Sequence, residues 1–140
     1  MNPVVVGNAQ WLAWLTTLTA SGAPLFGAIM HLFKTLIPVN QNTPLGSFVE
    51  ADFTGYAAGS AITWGTPFYT SAGVPVVTGT LNSFVTGSPA TVLNTIYGWY
   101  LTDSGGTTLL VARLLDTPII LTGPHQGFEI IPCYPAYISQ

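Results

Sequence analysis

A chain of 140 residues and 14.8 kDa has the usual size of one domain and is long enough to bury a core of its own. An average domain of this length carries roughly 35 charged residues, whereas this one has two basic and five acidic side chains: Lys34, Arg113, Glu50, Asp52, Asp103, Asp116 and Glu129. Two basic residues leave no electrostatic footprint for phosphate, which excludes the nucleic-acid binders, and a net charge of −3 implies no cationic partner.

The chain begins with a short β-branched run, Val4-Val5-Val6, followed by Asn8 as a helix N-cap. From Ala9 to Leu18 the apolar residues Trp11, Leu12, Trp14, Leu15 and Leu18 recur at helical spacing, which predicts one short amphipathic helix. Its threonines and lack of charge make it a poor isolated helix, so packing must hold it. Beyond Ser21-Gly22, fifteen Gly and eleven Pro in the chain punctuate short runs rich in Val, Ile, Thr and aromatics. These predict strands over Leu25 to Lys34, Tyr56 to Trp64, Val74 to Thr80, Leu81 to Thr86, Asn94 to Thr102, Thr107 to Leu114 and Gly127 to Tyr134. Leu25 to Lys34 is apolar on both faces, hence central or covered. A polar loop is expected at Pro38 to Pro44 and one helical turn at Ser47 to Asp52. The clearest local element is the hairpin around Asp103-Ser104-Gly105-Gly106, whose glycines supply positive φ.

This spacing reads as a mainly β fold, a small antiparallel β-sandwich of about seven strands with one short N-terminal helix. A single domain spans residues 1–140. Residues 1–22 form a strand and helix segment expected to contact neighbouring subunits, with Val4, Val5, Val6, Trp11 and Trp14 as the contact residues.

A folded monomer of this mass exposes on the order of 7,000 Å². Either Ser, Thr, Asn and Gln keep that surface wet, or partner protein covers much of it; interface cores are themselves depleted in charge and enriched in aromatics. Mean hydropathy is +0.51, yet the longest apolar run, Ala23 to Phe33, is well short of the roughly 20 residues a spanning helix needs. There is no basic leader region, no N-glycosylation sequon and one cysteine, Cys133, which fits synthesis in a bacterial cytosol with no membrane partner.

Reactive groups are few. His31 lies in an apolar strand and reads as a satisfied structural histidine, and His125 sits in the turn-like Gly-Pro-His-Gln-Gly. Neither pairs with Cys133 at metal-ligand spacing. Glu50 and Asp52 are a close acidic pair, read as solvated or capping acids of a short turn rather than an acid–base couple. Asp103 belongs to the hairpin, without the further acids a calcium loop requires. No catalytic residue, metal site or cofactor is expected. The aromatics Trp64, Phe68, Tyr69, Tyr97, Trp99 and Tyr100 could instead form a sugar-stacking face, with Tyr97 and Trp99 on one side of their strand and Tyr100 on the other.

Three stretches carry a resemblance: Val6-Gly7-Asn8 with the Trp/Leu helix, VEADFTGYAA (Val49 to Ala58), and IYGWYLTDSGGTTLLVAR (Ile96 to Arg113). Together with the HLF strand at His31 to Phe33, and in this order, they resemble a group of small structural proteins of tailed bacteriophages. Leu114 and Leu115 stand where an aromatic is expected, and Thr66 to Ala90 matches nothing in that group. The resemblance implies a virion component. The expected function is therefore a non-enzymatic, homo-oligomeric particle subunit, such as a capsid decoration or cementing protein, made in the host cytoplasm. Its partners would be copies of itself and a capsid or tail protein. The alternative is a glycan- or receptor-binding module of a fibre or tail.

Overall fold

Apolar side chains on both faces of three strands build a central sheet, with an apolar layer against each face. The computed structural model describes residues 15–20, 22–23, 25–40, 42–59, 61–73 and 75–134. The expected contact residues Val4, Val5, Val6, Trp11 and Trp14 lie outside the described residues. Residues 15–19 are helical, and Leu15 is buried in its own chain.

The fold is mainly β, with eight strands in three small antiparallel sheets among the described residues. They are β1 (Ile29–Phe33), β2 (Phe68–Tyr69), β3 (Pro75–Thr78), β4 (Asn82–Val85), β5 (Thr95–Thr102), β6 (Leu109–Ile120), β7 (Gly127–Ile130) and β8 (Cys133–Tyr134). The central sheet has the order β1-β5-β6; the other two are β2-β3-β8 and the pair β4-β7. Met30 and Leu32 on β1, Trp99 and Leu101 on β5 and Phe84 and Ile130 on the β4-β7 pair share one core. The opposite face of the central sheet carries Phe33 and Tyr100, closed over by Phe48. Two apolar layers thus cover both faces of β5, which explains its nearly continuous burial.

The hairpin forms where expected. The Asp103 carboxylate accepts from the backbone N–H of Thr107 at 2.9 Å and of Thr108 at 3.1 Å, and Gly106 alone of the two glycines takes positive φ. Four expectations need correction. The described residues of 56–64 form no strand: Gly59 N–H reaches Met30, Ile62 N–H reaches Ala28, and Trp64 makes an isolated bridge to Gly79. The helical turn lies at Leu45–Ser47, directly after Pro44, and residues 49–52 are extended along β1. Strand β6 continues past Leu114 to Ile120, because a β-bulge lets the chain pass Asp116-Thr117-Pro118 without leaving the sheet. Finally, a bulge at Tyr97 between Ile96 and Gly98 places Tyr97 with the Tyr100 layer instead of with Trp99.

Gly98 shows how closely the layers meet. A Cβ at this position would run into the Arg113 carbonyl oxygen and the ring of Phe33. We expect Gly98→Ala to cost about 1–3 kcal/mol, the range for overpacking a tight core, read as a lower denaturant midpoint with an unchanged slope.

Candidate functional site

The largest concentration of polar side chains lies on the outer edge of β1. The extended segment 49–52 runs antiparallel to that edge: Lys34 N–H bonds the Val49 carbonyl at 2.9 Å, and Ala51 N–H bonds Leu32 at 2.8 Å. In the sequence Glu50-Ala51-Asp52-Phe53, alternation buries Ala51 and Phe53 and leaves both carboxylates on the outer face.

Glu50 Oε2 accepts two hydrogen bonds, from the Tyr56 hydroxyl at 2.6 Å and from His31 Nδ1 at 2.8 Å. A carboxylate can only accept, so His31 carries a proton on Nδ1. In the neutral ring Nε2 is then an acceptor, and the Thr102 hydroxyl donates to it at 2.9 Å. The imidazole is stacked on Tyr100, with centroids 4.9 Å apart and planes 13° from parallel. The Tyr56 oxygen also accepts from Leu32 N–H at 3.2 Å, while its ring packs edge-on to Phe53 and parallel to Phe84. Burial, and then its bond to Glu50, push the Tyr56 phenol well above the ordinary value of 10.0. Burial, then the Glu50 charge, lifts Tyr100 to about 12.

One step further along the seam, Lys34 Nζ lies 2.8 Å from Asp52 Oδ2. Asn94 donates to Asp52 Oδ1 at 3.0 Å and accepts from the Asp52 N–H at 2.8 Å. The Lys34 ammonium, then the Asn94 amide, hold the Asp52 carboxyl below its ordinary 3.8. Thr54 extends the seam by receiving Thr91 N–H at 3.0 Å and Val92 N–H at 2.8 Å on its hydroxyl oxygen.

Glu50, His31 and Thr102 thus line up as carboxylate, imidazole and hydroxyl, the chain of contacts that activates a nucleophile in acyl-transfer enzymes. Accessibility decides against that use. Thr102 is 1% exposed, between β1 and β6, so its oxygen cannot reach a substrate without opening the sheet. The array runs from an exposed carboxylate, Glu50 at 40%, through a mostly covered imidazole, His31 at 15%, to a buried hydroxyl.

Glu50 and Asp52 are exposed, but the turn expected for them is corrected: they stand in an extended segment, and each ties that segment to β1. Tyr56, Thr102 and Asn94 escaped the sequence reading. The alternation in Glu-Ala-Asp-Phe was the available signal for an extended segment with both acids on one face. His125 is exposed, in a loop held by Thr86 and Gln126, at φ 59°. Burial raises the Cys133 thiol and makes it a weaker nucleophile. Among the described residues, no three of His, Cys, Asp and Glu come close enough together to hold a metal ion. The six aromatics are not collected into a sugar platform: Trp99 and Tyr100 are buried, and Trp64 donates its Nε1–H to the Leu25 carbonyl. Phe68 and Tyr69 alone of the six are openly exposed.

Tyr56→Phe should cost about 1–2 kcal/mol, because it leaves the Leu32 N–H and one Glu50 lone pair without a partner. Glu50→Ala should cost more than Tyr56→Phe, since two donors lose their acceptor, and a double-mutant cycle of the two should be strongly non-additive. The pH dependence has two limbs. Tyr56 and Tyr100 hold their protons more tightly folded than unfolded, so their contribution is complete below pH 10 and is lost as pH rises through the folded values. Asp52 has the opposite sign: its contribution is present above pH 3.8 and is lost as pH falls below it. Circular dichroism and tyrosinate absorbance across both ranges check this; tyrosinate absorbance from all tyrosines at pH 10 with the fold intact would contradict it.

In comparisons with known proteins, no family model, no curated protein and no solved structure matches this chain.

Proposed function

We propose that this chain is a non-enzymatic structural subunit of a bacteriophage particle, bound there as a homo-oligomer beside other particle proteins, as a capsid decoration or cementing protein would be. The observation that carries the reading is the poverty of charge on the outside of the fold. The chain exposes 7702 Å² and has seven charged residues, about 1,100 Å² for each. Three of those seven, Lys34, Glu50 and Asp52, are engaged along the β1 seam. Phe26, Leu36, Val85, Ile120 and Ile131 all stand about half exposed or more. Low charge with exposed apolar side chains favours association.

The reading is also supported by how the reactive side chains are used. The strongest nucleophile-like array ends on a buried hydroxyl, and Asp103 is committed to its turn. The resemblance of Val49 to Ala58 and of Ile96 to Arg113 to small phage structural proteins supplies the setting. Among the described residues no helix is long and apolar enough to cross a membrane.

Light scattering at micromolar concentration tests the proposal. We expect a mass at least twice 14.8 kDa; a stable, soluble monomer would refute the argument from charge. Changing the exposed His125 to Asn, which tolerates the positive φ of this position, should leave that assembly within about 0.5 kcal/mol of the parent. A hydrolytic activity lost on a substitution that preserves fold and assembly would overturn the non-enzymatic reading.

A further inference from the structure

No further inference is drawn: the strongest candidate, the groove between β4 and residues 55–59 lined in part by the half-exposed Leu81 and Val85, is an unpartnered surface, and nothing in the structure shows what covers it.

Discussion

One carboxylate oxygen organises the covered edge of the central sheet. An edge strand without a full neighbour leaves backbone groups to be satisfied some other way. Here Leu32 N–H is taken by the Tyr56 hydroxyl oxygen, whose own proton goes to Glu50 Oε2. From the other side Thr102 donates to His31, and His31 donates to the same oxygen. Every proton in this chain points toward Glu50, so each bond polarises the next in the same sense. Without Glu50, the phenol and the imidazole lose their common acceptor, and the cost reaches Leu32 on the sheet itself. Tyr56 matters twice, because its ring is also packed against Phe53 and Phe84 in the core. The seam therefore cannot detach without disturbing the apolar layer beneath it.

The scarcity of charge gives this seam its weight. Exposed ion pairs contribute little, about 0–1 kcal/mol each, and Lys34 with Asp52 is one of these by its exposure. What the pair supplies is position: with Asn94 bonded to both the side chain and the backbone of Asp52, the 49–52 segment is pinned between β1 and the entry to β5. Concentrating charge there leaves wide stretches of surface neutral. Such a surface generates little long-range field.

Much of the fold was legible in the residues, for reasons that differ by element. Strands β3, β4 and β5 lie within their predicted ranges, because Gly and Pro bracket β-branched runs. The 103–106 turn was legible from Asp103 and Gly106 alone. The irregular parts were not. Residues 56–64 have strand composition, but Tyr56 is drawn into the core and Gly59 and Ile62 bond β1 singly, so no ladder forms. Pro132 lacks the N–H a ladder needs, and it separates β7 from β8 where one strand was expected. At the site, the apolar strand around His31 pointed to a largely covered ring, which is what the fold gives it. Its partner Thr102, and Tyr56, which shares the Glu50 acceptor, were not legible, because a donor 71 residues away and another set by a turn leave no local signature.

The irregularity of segment 49–62 is itself informative about the fold. A regular strand there would have carried the sheet one position outward and left a new straight edge to protect. A chain that bonds β1 at intervals, turns at Gly55 with φ +92°, and fills one gap with a tyrosine hydroxyl satisfies the inner strand without offering a ladder beyond it. At the opposite edge, the pairing of β6 with β5 is irregular in both halves: between Leu114 and Ile119, where Asp116 and Pro118 also stand, and at Leu110. Between these, regular pairing is confined to Val111 to Leu114, Arg113 included. The two edges of one three-stranded sheet are thus handled by different means: one is closed by a segment of its own chain, the other is broken by two irregularities and by charge.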